Sequence, residues 1–141
     1  MDLAEFTKWT KFEDVKALAE STSSGVYVLS RYKKSPNGPL NFTSKNIVYI
    51  GETTKQSIRT RLNQFGTSAF KRKNGHSGGW TYSEQFLGST ISEVVPSDIY
   101  VSFLPIDINR YDGAAYIKFV ERLLILRYVQ KNKKNPACNK S

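Results

Sequence analysis

The stretch KNIVYIGETTKQSIRTRL, Lys45 to Leu62, ends in a segment that carries Arg59 and Arg61 and no acid after Glu52. A guanidinium offers a planar fork of donors that matches phosphate oxygens. Two such cations behind a tyrosine and a glycine read either as a solvated helix face or as a phosphate site. Glu121 sits inside the apolar run IKFVERLLIL, where a carboxylate is either the solvated residue on an open face or a group held there for chemistry. His76, in GHSGGW, is the single histidine. It is either a loop residue without a task or a group able to exchange a proton near neutral pH. Tyr27 and Tyr49 lie in two apolar runs and read first as strand aromatics packing a sheet face.

The elements that must position these groups follow from periodicity. Thr10 and Glu13 have capping-box spacing, which predicts a helix near residues 11–20. SSGVYVLSRY and NIVYIG read as strands by alternation, with Ile47, Tyr49 and Gly51 sharing a face. A Pro- and Gly-rich loop joins them, so antiparallel pairing is expected, with Tyr27 and Tyr49 on one side of the sheet. Thr53 or Thr54 is the expected cap of a helix from Lys55 to Gly66, striped by Ile58, Leu62 and Phe65. Arg61 then borders the buried stripe, and Arg59 points toward solvent. GTSAFKRKNGHSGGW reads as a loop, WTYSEQFL and DIYVSFLPI as strands. A long helix runs from Gly113 to Lys131 with apolar residues around much of its circumference, and Pro136 marks the stop beyond it. The order predicts one α/β domain of α+β type over residues 1–141, with a small, mainly antiparallel sheet. Residues 1–22 form a helical extension and residues 31–46 a basic inserted loop.

The formal net charge of the 141 residues is +9. Between Arg31 and Lys73 there are ten Lys or Arg and one acid, Glu52, and a second basic cluster runs from Lys118 to Lys140. Such a field favours a polyanion. No apolar run reaches membrane-spanning length, and the mixed, acidic N-terminus is not a signal peptide. Cys138 alone builds neither a disulfide nor a Cys-rich zinc site. An intracellular, cytoplasmic protein is the expectation.

Gly25-Val26-Tyr27, followed by Val48-Tyr49-Ile50-Gly51, resembles the paired signature of the GIY-YIG nuclease superfamily. Arg61 on the next helix, Glu121 on the long helix and the Pro136 to Asn139 ending extend the resemblance from Gly25 to Asn139. It implies a three-stranded antiparallel sheet flanked by helices, and hydrolysis of a DNA phosphodiester with one divalent metal, Mg²⁺ or Mn²⁺. By the same resemblance, Glu121 is the metal-binding glutamate, Arg61 the phosphate-binding arginine and Asn139 the terminal asparagine. Tyr27 or Tyr49 activates the water, with Arg61 and the metal expected to lower the phenol pKa. Arg31, Lys33, Lys34, Lys55, Arg59, Lys71, Arg72 and Lys73 are the cations expected to hold the DNA backbone.

This chain departs from the family pattern in three places. Residues 31–46 lengthen the gap between the motifs. Glu52 puts a negative charge beside the cleft. Phe65 falls one turn after Arg61, where many members carry a His or Tyr that helps deprotonate the nucleophile, and His76 is the candidate replacement. The expected activity is a metal-dependent endonuclease, in the manner of a stand-alone restriction or mobile-element enzyme, acting as a homodimer or with a partner protein. The alternative is a non-catalytic DNA-binding module on a degenerate scaffold of the same family.

Overall fold

The computed structural model describes residues 2–140. Four strands, β1 (Thr10–Lys11), β2 (Ser24–Arg31), β3 (Ile47–Thr53) and β4 (Ile99–Ile106), form one sheet in the order β1-β4-β2-β3. Every neighbouring pair is antiparallel. Three helices, α1 (Ile58–Lys71), α2 (Ser77–Phe86) and α3 (Gly113–Asn132), complete the domain. The sheet therefore has four strands rather than three, because the two residues of β1 add to the outer side of β4.

β2 and β4 are the inner strands, and their side chains are buried on both faces. Tyr27, Leu29, Val101 and Phe103 pack with Ile58, Leu62, Phe65 and Phe70 of α1 and Tyr82 of α2. Val26, Val28, Ile50 and Leu104 pack on the opposite face with Ile117, Val120 and Leu124 of α3. The result is a sheet between two helical layers, with an apolar core on each side.

Several local expectations are corrected. The first helix, expected over residues 11–20, is two short 3-10 segments, Phe12–Ala17 and Ala19–Thr22, split by the extended Leu18. Thr10 does not cap it, because Thr10 pairs with Val101 in the sheet. The segment before β2 packs on the sheet: Phe6 is buried, and the Thr7 N–H donates to the Phe103 carbonyl at 2.9 Å. α1 starts at Ile58 because Ser57 Oγ accepts from the Thr60 N–H, while Thr53 closes the preceding turn on Gln56. It runs through Gly66 to Lys71.

WTYSEQFL is helical, not extended. Gly78, Gly79, Tyr82 and Ser83 bury one helical face there, and that packing overrides the strand preference of the aromatics. A bulge in β3 sets Ser30 against Ile47 and Leu29 against Tyr49. It moves Ile47 to the α3 face while Tyr49 stays on the α1 face, so the two do not share a side as alternation suggests. α3 buries a single stripe, Ile117, Val120, Leu124 and Tyr128, and leaves Phe119 and Leu126 more than half exposed. Among the described residues no helix is long and apolar enough to cross a membrane.

Candidate functional site

The second half of β3 is where the candidate residues meet. Gly51 lies opposite Tyr27 in the β2–β3 pairing. A Cβ on Gly51 would stand 2.6 Å from Tyr27 Cζ, 2.7 Å from its hydroxyl and 2.7 Å from Tyr49 Cε2. Gly78 at the start of α2 makes the same allowance on the other side, where a Cβ would meet Tyr49 Cε1 at 2.6 Å. The two glycines thus let the Tyr49 ring seat between β3 and α2. The Tyr27 and Tyr49 centroids are 6.1 Å apart.

Arg61, on the first turns of α1, acts electrostatically on Tyr27, Tyr49 and His76. Its Nη1 donates to Gln64 Oε1 at 2.5 Å, one turn along the helix. Among the described residues no carboxylate forms an ion pair with it. With Glu52, Thr53, Lys55 and Gln56 it lines an open cleft of about 300 Å³. Glu121, half-buried on α3, acts on Tyr49 and is itself acted on by Glu52. The rings of Tyr27, Tyr49 and His76 thus pack beside one another, and the charges of Arg61, from α1, and Glu121, from α3, both act on Tyr49.

Arg61 pulls the phenol pKa of both tyrosines down as expected, but burial outweighs it. Burial raises the Tyr27 phenol well above its ordinary value and Tyr49 adds to the rise; Arg61 opposes both without overcoming them. Burial likewise raises Tyr49, against the pull of Arg61. Both tyrosines are thus neutral hydroxyls at pH 7. Burial also raises the Glu121 carboxyl, and Glu52 adds to the effect.

His76 begins α2 as its cap: its Nδ1 accepts from the Gly79 N–H at 3.2 Å. Burial, and then Arg61, lowers its pKa to about 4, so the ring is neutral at pH 7. A neutral imidazole that accepts at Nδ1 carries its proton at Nε2. His76 therefore presents an N–H donor, and acting as a base would require breaking the cap. Its ring meets Tyr49 and Phe65 edge-on at 5.6 and 5.3 Å. Phe65 itself is a core residue with no exposure.

Four buried side-chain atoms have no hydrogen-bond partner among the described residues: Tyr27 Oη, Glu52 Oε2, His76 Nε2 and Ser30 Oγ. Buried polar atoms ordinarily find partners. The first three belong to residues of this one cluster.

Asn139 meets the same strand at Ile50. Its Oδ1 accepts from the Ile50 N–H and its Nδ2 donates to the Ile50 carbonyl, both at 2.9 Å. The amide is engaged with the β3 backbone between Tyr49 and Gly51.

The cations expected to hold a polyanion separate into free and engaged groups. Lys33, Lys34, Lys55, Lys71 and Lys73 are exposed. Arg31 pairs with Asp98 at 3.0 Å and lies over the Phe86 ring at 4.4 Å. Arg72 donates to Ser83 Oγ at 2.7 Å and lies over Trp80 at 4.7 Å. Arg59 donates to Ser21 Oγ at 3.2 Å and lines a different cavity from Arg61, beside Phe12 and Lys16. A groove of about 800 Å³ adds Lys45 and Lys134 to Arg31 and Lys33 on its walls.

Sequence reasoning missed Gln64, Gly78, Lys45 and Lys134 as members of these sites. For Gln64 the signal was its place three residues after Arg61 on a helix. For Gly78 there was none short of coordinates. Among the described residues no three His, Cys, Asp or Glu side chains converge as a metal-ligating group. Compared with known proteins, the chain matches no family model, no curated protein and no solved structure.

Proposed function

We propose that this chain is a metal-dependent DNA endonuclease of the GIY-YIG type. The observation that supports the reading is that the opposite charges of Arg61, on α1, and Glu121, on α3, both act on the Tyr49 hydroxyl of β3. Arg61 is a half-buried guanidinium with only a neutral described partner, which suits it to grip a phosphate and stabilise the charge that develops there. Glu121 supplies a hard oxygen of the kind Mg²⁺ or Mn²⁺ takes; its one described ion pair is a 3.9 Å approach by the exposed Arg122. Bound there, a divalent ion supplies Lewis acidity and stabilises the leaving oxygen. Tyr49 is less buried than Tyr27 and closer in field to Glu121, so it is the phenol that orders the attacking water. Tyr27, with no exposed area, supports the Tyr49 ring and Arg61 from behind. The His76 Nε2–H is a further donor beside Arg61. DNA is the partner, its flanking backbone held by Lys33, Lys34, Lys45 and Lys55.

The test is incubation of supercoiled plasmid with the protein in Mg²⁺ or Mn²⁺ and then in EDTA, followed by mapping of cuts on a long DNA. Metal-dependent nicking is expected. Binding without nicking would favour the second reading, a non-catalytic DNA-binding module. The observation behind that alternative is that both tyrosines stay protonated and the free lone pair of His76, at Nδ1, is taken by the Gly79 N–H, which leaves no ready base among them.

A further inference from the structure

We propose that the groove at the Ile47 end of β3 is a seat for a single, unpaired strand of DNA. The choice of DNA rests on the nuclease reading; the seat itself follows from the walls of the groove.

The groove, of about 800 Å³, shares no lining residue with the Arg61 cleft. Ile47 and Val48, which begin β3, line the groove, and Glu52 and Thr53, which end it, line the cleft. Between Ile47 and Glu52 the extended chain covers roughly 17 Å. That is about five nucleotide steps along one strand of a duplex. The groove is therefore a separate place on the molecule, within reach of the same DNA.

Its open cations come from distant parts of the chain. Lys33 follows β2, Lys45 precedes β3 and Lys134 follows α3. All three are exposed, and no described ion pair engages them. The one acid on the walls, Asp98, is held by Arg31. A recess with three open cations and its single carboxylate already neutralised attracts a polyanion.

The walls are set before any strand arrives. The Arg31 N–H donates to the Asn46 carbonyl and the Tyr32 N–H to the Asp98 carbonyl, both at 2.9 Å. Gln85 Nε2 donates to the Ala137 carbonyl at 3.0 Å, tying the C-terminal wall to α2. Fixed walls lower the ordering cost of binding.

One strand suits the recess better than two. Its volume is that of a pocket enclosing a small ligand, whereas the major groove of a duplex alone is about 12 Å wide. A duplex lies over such a rim without entering it. Tyr32, half-buried, is the ring left to a base, since Phe86 is covered by Arg31 and Tyr128 is buried. Open cations beside an aromatic face track phosphates and stack unpaired bases. In a duplex those faces are covered by neighbouring bases.

The experiment measures fluorescence anisotropy of a labelled oligo(dT) of about twelve nucleotides, and of a duplex of equal charge, against the full chain in EDTA. Wild type, Lys134→Glu and Tyr32→Ala are compared, each checked for fold by circular dichroism; Tyr32→Leu replaces the alanine variant if that one unfolds. Wild type is expected to bind oligo(dT). Lys134→Glu is expected to weaken it about tenfold and to reduce the slope of log affinity against log salt by about 0.7. Tyr32→Ala is expected to weaken it about tenfold with the salt slope unchanged. Both losses should be smaller with the duplex. Wild type failing to bind oligo(dT), or variants that bind it like wild type, would overturn the proposal. Equal losses with oligo(dT) and duplex would make Lys134 a general phosphate contact and also overturn it. So would a loss in Lys134→Glu without one in the Tyr32 variant, which leaves an anion patch with no seat for bases. Plasmid nicking in Mg²⁺ is read separately: nicking without oligo(dT) binding removes the groove and spares the nuclease reading, and oligo(dT) binding without nicking does the reverse.

Discussion

Arg61 and Arg31 stand on the walls of two clefts, and the chain surrounds them in opposite ways. Arg31 donates to Asp98 and lies on Phe86, so both its edge and its face have neighbours. Arg61 has one described partner, a neutral amide, and around it buried polar atoms of Tyr27, His76 and Glu52 go without partners. Leaving a buried polar atom unpaired costs about 1–3 kcal/mol. A wall built only to hold the fold closes its polar groups on one another. The Arg61 cleft leaves such atoms open. The contrast separates the two arginines by their surroundings.

The widest test of this contrast is kinetic. Glu121→Ala is expected to abolish cleavage and Arg61→Ala to slow single-turnover cleavage by roughly 10²–10³-fold, with circular dichroism and DNA affinity nearly unchanged. If Arg61→Ala weakens binding alone, that arginine is an ordinary phosphate contact and the contrast collapses. Next comes acid stability. His76 titrates near 6.5 when unfolded and near 4 in the fold, so between those values only the unfolded chain holds the proton. Stability is therefore complete above about pH 6.5 and falls as pH drops toward 4, by up to about 3 kcal/mol. Urea unfolding of His76→Gln against wild type over that range should show the variant without the slope; parallel curves would mean the histidine is not buried neutral.

Gly51→Ala is expected to cost roughly 1–3 kcal/mol in urea unfolding, because the new methyl meets the end of the Tyr27 ring. An unchanged midpoint would show that the paired phenols are not packed over that backbone. The smallest effect belongs to Arg31→Ala. Its ion pair is over a third exposed on the arginine side, so about 1 kcal/mol of stability should be lost and cleavage should stay within about twofold of wild type. A large kinetic defect there would move the functional boundary into the second groove.

Much of the framework was legible because the signals were periodic. The three long strands and α3 follow from alternation and from a long apolar run, and Arg61 at the rim follows from its spacing to Ile58 and Phe65. What escaped was set by single contacts. A ring nitrogen capping a helix is outside the usual set of capping side chains, so the segment after His76 read as loop and strand. Thr10 and Glu13 had the spacing of a capping box, but Thr10 was taken by the sheet. The bulge that turns Ile47 away from Tyr49 leaves no mark in composition. The protonation of the tyrosines turned on burial, which outweighs a visible arginine.

The bond pair between Asn139 and Ile50 has its own consequence. β3 is the outermost long strand, and such a margin invites foreign backbone to zip on. One carboxamide mimics a neighbouring peptide unit there, and the Cys138 N–H adds a bond to the Val48 carbonyl at 2.8 Å. The C-terminal residues act as a hem along that margin. Loosening it with Asn139→Ala should bring self-association on before any loss of the core.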